Sequence, residues 1–144
     1  MINRELIDPK SIVVVGGSNN VHKPGGRLVR NLLDGKYKGE LYVVNAREDD
    51  VQGLKSYHSV HDIPDTEMAI ISIPGPSCPE AIDILANQKN VKAFIVVSAG
   101  FGEETHEGAL LEDQMLATVN EAGASMIGPN CIGLMNTKFH GVFT

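Results

Sequence analysis

The sequence predicts an α/β fold: a doubly wound parallel sheet of about five strands with helices on both faces. Short runs of β-branched and other apolar residues alternate with amphipathic stretches, which is the pattern of repeated strand–helix–strand units. Several of these runs are apolar without interruption, as expected for parallel strands that are covered on both faces. A length of 144 residues suits one domain with a substantial core.

The first strand is predicted at residues 11–17, where the run SIVVVGG is continuously apolar before its glycines. Apolar residues at helical spacing predict a helix over residues 27–33, and Gly35 follows as its stop. The second strand is predicted at residues 40–45. The turn-rich segment 52–66 then reads as an irregular connection.

The third strand is predicted at residues 68–74 and ends at a proline, which cannot extend the ladder of hydrogen bonds. Ser77 and Glu80 match the capping box S-x-x-E, with a proline between them and an apolar face that continues to about Gln88. Ser77 is therefore predicted to cap a helix, with no role in catalysis.

The second half of the sheet follows the same pattern. A fourth strand is predicted at residues 92–100, a long helix at residues 104–122 with Gly123 as its stop, and a fifth strand at residues 124–128. Alternating strands and helices imply parallel strands joined by right-handed crossovers.

The composition limits which binding partners and which cellular compartment the protein is expected to have. The formal net charge of −6 argues against broad binding to nucleic acid or to acidic lipid. No apolar run approaches the roughly 18 to 20 residues of a membrane span, and the start MINRELIDPK lacks the apolar core of a signal peptide. Cys78 and Cys131 have no metal-type or disulfide-rich spacing. We therefore expect a cytoplasmic protein with no membrane or nucleic-acid partner.

The carboxyl ends of the predicted strands hold most of the unusual sequence, and ligands bind at that edge in open parallel sheets. The first loop, residues 16–26, opens a helix, so its free N–H groups and the helix dipole favour an anion. It matches neither G-x-G-x-x-G nor the P-loop motif. His22, Lys23 and Arg27 lie in or just after it. The sequence indicates an anionic ligand, and the alternative is a tight turn that binds nothing.

The residues at the end of the second strand indicate which class of nucleotide could bind. An NAD-binding domain usually presents an acidic residue there, whereas this chain has Asn45-Ala-Arg47. An arginine suits a ribose that carries a phosphate, as in NADP or in the 3′-phosphate of coenzyme A. The acidic residues 48–50 that follow are interpreted as a solvated turn.

Candidates for catalysis or metal binding are few. Cys131 lies in the loop GPNC, but single cysteines are most often small buried apolar residues, and no histidine is linked to it by a motif. His58 and His61 have i, i+3 spacing without a third ligand, so no metal site is predicted. Cys78, at a helix start, is interpreted as packed against a ligand or the core.

The segments taken together resemble a known family. In order and spacing they are similar to the N-terminal CoA-binding domain of the ADP-forming acyl-CoA synthetases, which is similar in turn to the α subunit of succinyl-CoA synthetase. The resemblance covers residues 8–137, and its most specific part is the combination of SAGF with GPNC. It rests on SIVVVGGSNN, GGRLVRNLLDGKYKGELYVVNAR, GLKSYHSVHDIP, AIISIPGP, VKAFIVVSAGFGE and GASMIGPNCIGLMNT.

The resemblance implies a Rossmann-like domain that holds coenzyme A along this edge. Residues 18–20 match contacts to the CoA phosphates and pantetheine arm, residues 73–75 match the loop beside the adenine, and residues 97–99 match a loop that lines the cofactor. Cys131 matches the loop near the thiol end, where it shapes the pocket. The predicted cofactor-binding residues, all in these loops, are Gly16, Gly17, Ser18, Asn19, Asn20, Lys23, Gly25, Arg47, Ile73, Pro74, Gly75, Val97, Ser98, Ala99, Gly100, Asn130 and Cys131.

The resemblance also implies that covalent chemistry lies elsewhere. The family's phosphohistidine belongs to a following domain, and His140 matches no motif. We expect residues 1–144 to be a single CoA-binding domain, the N-terminal part of a longer synthetase subunit, that binds CoA or acyl-CoA but does not catalyse alone. The expected partners are further synthetase domains or an ATP-grasp-type subunit, with a homo-oligomer possible.

Three functions stay open on the sequence. The parent enzyme would interconvert acyl-CoA, ADP and phosphate with the free acid, CoA and ATP through acyl-phosphate and phosphohistidine intermediates. The second function is an NADP-binding module of an oxidoreductase, which Arg47 permits and the missing G-x-G-x-x-G disfavours. The third is a non-catalytic domain that senses CoA or a nucleotide.

Overall fold

The structure is a computed structural model that describes residues 2–99, 101 and 105–144. Its helices are α1 (Arg4–Ile7), α2 (Pro24–Asp34), α3 (Cys78–Gln88) and α4 (His106–Glu121). Its strands are β1 (Ser11–Val15), β2 (Glu40–Val44), β3 (Asp50–Val51), β4 (Leu54–Tyr57), β5 (Met68–Ile71), β6 (Ala93–Val96), β7 (Ser125–Ile127), β8 (Gly133–Met135) and β9 (His140–Val142).

The main sheet has seven strands in the order β3-β4-β2-β1-β5-β6-β7. All its pairings are parallel except the one between β3 and β4, which is antiparallel. The chain first builds outward from β1 to β2 and β4, and then returns to place β5 on the other side of β1. The doubly wound α/β fold is thereby confirmed, with the switch in strand order beside β1.

The two faces of the sheet carry separate apolar clusters because successive side chains of a strand point in opposite directions. Val13 and Phe94 lie in the cluster that includes Met115 of α4 and the buried face of α3. Val14 lies in the other cluster, with Leu28 and its neighbours on α2. Strands β5 and β6 are buried along their whole length, which explains why their sequences are continuously apolar.

The predicted helices and strands are present, with shifted ends. Helix α2 begins at Pro24, three residues before the predicted start, because proline suits the first helical turn, where no N–H donor is needed. Helix α4 begins at His106, and the predicted start at residue 104 lies outside the described residues. The side chain of Thr105 caps α4 by accepting a hydrogen bond from the N–H of Gly108 at 2.8 Å.

Two predictions were wrong. The segment 52–66 is not irregular: it contains β4, which pairs with β2, and a 3-10 helix at Val60–Asp62. Ser77 makes no capping hydrogen bond, because a 3-10 turn at Gly75–Ser77 leads into α3 and holds Ser77 at φ −87° and ψ −12°. A capping serine needs an extended backbone instead. The hairpin of β8 and β9 was not predicted at all.

None of the helices in the described part of the chain has both the length and the apolar character of a membrane span.

Candidate functional site

A cavity of about 440 Å³ opens at the carboxyl ends of β1, β2 and β5, beside the switch in strand order. Gly16, Arg47 and Ile73 are the predicted site residues that line it. Its other lining residues were not predicted. They come from the ends of β1 and β2, from the segment after β4 that leads into the 3-10 helix at Val60–Asp62, and from α3 and the turn before it. These are Val15, Val44, Asn45, Ala46, His58, Ser59, Val60, His61, Ser77, Glu80, Ala81 and Ile84.

The first loop packs so closely that only glycine fits at its two ends. Gly16 has φ +94°, and a Cβ atom there would lie 2.0 Å from the carbonyl oxygen of Ser72, which follows β5. A Cβ at Gly25, in the first turn of α2, would lie 1.9 Å from the carbonyl oxygen of Gly16. These contacts bring the amino end of α2 directly against the ends of β1 and β5. The positive end of the helix dipole is thereby placed at this edge of the sheet.

The polar side chains of the first loop hydrogen-bond within the protein. Ser18 Oγ accepts from the N–H of Asn20 at 3.0 Å, and Asn20 Oδ1 accepts from the N–H of His22 at 3.0 Å. Asn19 bonds to the β3–β4 hairpin. Lys23 is exposed, with its N–H bonded to the carbonyl oxygen of Asn20. The ligand contacts assigned to these residues stay predictions, and the structure gives three of them a role in shaping the loop.

Arg47 is presented by a turn that Asn45 organises. Asn45 Oδ1 accepts hydrogen bonds from the N–H groups of Arg47 and Glu48 at 2.8 and 3.0 Å, and its Nδ2 donates to the carbonyl oxygen of Gly17 at 2.8 Å. This ties the end of β2 to the first loop. Within residues 2–99, 101 and 105–144, the exposed guanidinium of Arg47 has no hydrogen-bond or ion-pair partner. It is therefore free to meet an anion at the mouth of the cavity.

Two histidines, His58 and His61, line the cavity. His58 Nε2 lies 2.8 Å from Asp49 Oδ1, and both side chains are largely exposed. No group of three His, Cys, Asp or Glu residues that could hold a metal ion occurs in the part of the chain that the structure describes.

The loops after β5, β6 and β7 continue the same edge of the sheet, and of their described residues only Ile73 and Ser77, both after β5, line the cavity. Ser98 Oγ donates to the carbonyl oxygen of Ile73 at 2.6 Å and accepts from its N–H at 3.1 Å. The N–H of Asn130 donates to the carbonyl oxygen of Ser98 at 2.8 Å. The remaining predicted residues here differ in exposure, and Gly100 lies outside the described residues. Gly75 and Val97 are buried, Pro74 and Ala99 are exposed, and Gly17, within the first loop, is buried.

The two thiols are packed and protonated. Cys131 Sγ lies 3.3 Å from the carbonyl oxygen of Val96, and burial raises the pKa of this thiol, opposed by weaker hydrogen bonds from backbone N–H groups. Cys78 is fully buried, with Sγ 3.7 Å from the carbonyl oxygens of Ile73 and Pro74. Burial raises its pKa too, and a hydrogen bond with Ser98 opposes the rise. Neither thiol is activated as a nucleophile.

We expect iodoacetamide to alkylate both cysteines of the native protein more slowly than those of the denatured chain at neutral to mildly alkaline pH. The native state keeps each thiol protonated where an unfolded thiol with the ordinary pKa of 9.0 loses its proton. Because the pKa of each thiol is raised in the folded state, the contribution of the thiols to the free energy of unfolding is fully present below pH 9.0. That contribution is lost as the pH rises from 9.0 through the raised pKa values. Mass spectrometry of the alkylated peptides measures the rates, and faster reaction of native Cys131 would show an activated thiol.

Known proteins match this chain over most of its length. A family model described as a CoA binding domain matches residues 10–137. The chain is 41% identical over 136 residues to the ADP-forming acetate–CoA ligase II of Archaeoglobus fulgidus. It is 39% identical over 134 residues to the alpha subunit of the ADP-forming acetate–CoA ligase II of Pyrococcus furiosus. The matches cover 94% and 92% of this chain but only 20% and 29% of the two relatives.

Solved structures with a similar fold also match this chain over nearly its whole length. A structure from Pyrococcus horikoshii OT3 has a TM-score of 0.90 at 38% identity, covering 99% of this chain and 33% of that one. The apo form of acetyl-coenzyme A synthetase 1 from Ca. Korarchaeum cryptofilum has a TM-score of 0.89 at 31% identity, covering 97% and 31%. This chain therefore corresponds to about a third or less of each of these relatives.

Proposed function

The chain belongs to the CoA-binding domain family, and we propose that it holds coenzyme A across the carboxyl edge of its sheet as one domain of an ADP-forming acyl-CoA synthetase. One observation supports this most directly. Arg47, an exposed arginine without a partner among the described residues, lines a cavity that has both apolar and polar walls, beside the glycine loop that leads into α2. Apolar walls suit an adenine ring, and the arginine and helix end suit its phosphates.

The chemical properties of the cavity and its surroundings fit coenzyme A. Val15, Val60 and Ile84 supply apolar walls for a flat ring, and Arg47 supplies a planar cation for a phosphate. The first loop and the amino end of α2 would meet the diphosphate. The pantetheine arm would run along the loops after β6 and β7 toward Cys131. These contacts are proposals built on the resemblance and on the continuity of the edge.

In this function the chain binds and orients, and catalysis needs other domains. Coenzyme A supplies the thiol that accepts the acyl group. The residues of this chain hold the nucleotide and set the position of the thiol end, and the protonated Cys131 shapes the pocket there without forming a bond. The covalent phosphoryl transfer would belong to a phosphohistidine domain and a nucleotide-binding domain or subunit. We propose that residues 1–144 act as one CoA-binding domain within such an assembly.

Calorimetric titration with CoA, dephospho-CoA, NADP and NAD at identical salt tests this function. Tighter binding of CoA than of dephospho-CoA supports the proposal and places a cation on the 3′-phosphate. Binding of NADP without CoA favours the oxidoreductase module, in which Arg47 would take the 2′-phosphate. Binding of none of the four would contradict the proposed function.

Arg47→Ala is expected to weaken CoA by about 1 to 3 kcal/mol, or about 5- to 150-fold in Kd, because a charge-assisted bond to a phosphate is lost. Lys38→Ala is the matched control, since Lys38 is an exposed cation that precedes β2 at the opposite edge of the sheet. If Arg47 contacts the 3′-phosphate, Arg47→Ala should change the Kd for dephospho-CoA very little, because that ligand lacks the phosphate and the two changes form a double-mutant cycle. An unchanged Kd for CoA would remove Arg47 from the site.

A further inference from the structure

Gln52, in the turn between β3 and β4, ties together the two ends of the first loop. Its Nε2 donates to the carbonyl oxygen of Ser18 at 2.8 Å and to that of Gly26 at 2.9 Å. Ser18 lies where the loop begins and Gly26 lies in the first turn of α2. The side-chain amide of Gln52 therefore bridges Ser18 and Gly26, although Gln52 is 34 residues from Ser18 in the chain.

Asn19 adds a second pair of hydrogen bonds between the loop and the hairpin. The N–H of Gln52 donates to Asn19 Oδ1 at 2.7 Å, and Asn19 Nδ2 donates to the carbonyl oxygen of Asp50 at 2.9 Å. The hairpin is itself anchored, since Val51 is fully buried and β4 pairs with β2. The first loop is thus held by hydrogen bonds to the β3–β4 hairpin as well as by hydrogen bonds within the loop.

The orientation of the Gln52 amide is set by its surroundings. A flipped amide would place Oε1 against two carbonyl oxygens, so both of its donors must face them. Oε1 is buried without a hydrogen-bond partner in the described residues, and the backbone of Gln52 is in the left-handed region at φ +51°. Both features cost stability, and the four hydrogen bonds around Gln52 and Asn19 offset that cost.

We propose that Gln52 is a positioning residue for the CoA site, holding the first loop against the first turn of α2 in the shape that a phosphate would meet, without touching the ligand. This inference rests on the proposed function. The β3–β4 hairpin then belongs to the binding site, because ordering the loop in advance lowers the entropy that binding would otherwise cost.

The test compares Gln52→Leu with Leu6→Ala. Leucine is close in size to glutamine but donates no hydrogen bond, so the loop loses two of the bonds that hold it. Leu6 is buried on α1, which is tied through Asn3 to the residue before β6, at the other end of the sheet. We expect Gln52→Leu to raise the Kd for CoA about ten-fold. We expect Leu6→Ala to leave the Kd within about two-fold wherever the protein is folded, even though it lowers the melting temperature.

Amide hydrogen exchange without CoA separates this inference from the proposed function. Gln52→Leu should speed exchange at the amides of the first loop, and Leu6→Ala should leave those amides unchanged relative to the rest of the sheet. If the wild-type chain does not bind CoA, the proposed function fails and the exchange data still test the hydrogen-bonded link. If the wild-type chain binds CoA and Gln52→Leu binds equally well, or its loop amides exchange as in wild type, the positioning role is wrong.

Discussion

Gly16→Ala is expected to lower the free energy of unfolding by about 3 kcal/mol or more and, if the proposed function holds, to remove CoA binding. At φ +94° an alanine backbone costs about 1 to 2 kcal/mol relative to glycine. The added Cβ would also lie 2.0 Å from the carbonyl oxygen and 2.8 Å from the carbonyl carbon of Ser72. Those atoms are backbone, so the ends of β1 and β5 must separate, and overpacking of this kind costs a further 1 to 3 kcal/mol or so.

The matched control for Gly16→Ala is Gly123→Ala. Gly123 has φ +67°, a Cβ added there would meet no atom within 4 Å, and the residue follows α4, away from the cavity. It should therefore cost only the conformational term, about 1 kcal/mol. Denaturant unfolding measures both values, and CoA titration of the folded variants measures binding. Equal losses of stability would show that the contact with Ser72 is not what requires glycine at position 16.

Phe94→Ala is expected to lower the free energy of unfolding by about 3 to 5 kcal/mol. Phe94 lies on β6 between β5 and β7, with no exposed surface, in the apolar cluster that α3 and α4 cover. Truncation leaves a cavity in the middle of that cluster, which backbone paired on both sides cannot collapse to fill. Because α3 also forms a wall of the ligand cavity, the loss of packing extends toward the site.

Thermal or denaturant unfolding with and without CoA checks this second prediction. Leu110→Ala is the control, since Leu110 of α4 is 53% exposed and its truncation should change stability by no more than about 0.5 kcal/mol. If the proposed function holds, CoA at about 100 times its Kd should restore about 2.7 kcal/mol to Phe94→Ala. A loss below about 1 kcal/mol for Phe94→Ala would contradict the packing described for this face of the sheet.

Under the proposed function, this acidic chain must bind a polyanion through local charge. The formal net charge of −6 repels coenzyme A at long range, but the amino end of α2 and the unpaired guanidinium of Arg47, within the described residues, face the same edge. Such contacts act within a few ångströms, where screening by salt is weakest. Specificity for the ligand would then come from the placement of a few donors, and the overall field of the protein would contribute little.

The sequence by itself determined the fold class, the succession along the chain of the five strands β1, β2, β5, β6 and β7, and the edge where ligands should bind. These follow from local patterns: continuous apolar runs mark strands covered on both faces, and glycines mark turns where backbones approach closely. The position of Arg47 at the cavity also follows, because it comes directly after β2 and the carboxyl ends of parallel strands share one edge. The family resemblance, which the comparisons confirm, used the same ordered motifs.

Only the tertiary structure decided which residues surround the cavity and what holds the first loop. Ala81 and Ile84 look like ordinary core residues of α3 in the sequence, yet they line the cavity because α3 packs beside the 3-10 helix at Val60–Asp62, which forms another of its walls. Gln52 carries no sequence signal, since its partners Ser18 and Gly26 are 34 and 26 residues away. The periodicity of apolar residues indicates which face of a helix or strand is buried, but it does not indicate which distant helix or strand packs against that face. Contacts of that kind depend on strand pairing and packing across the whole chain.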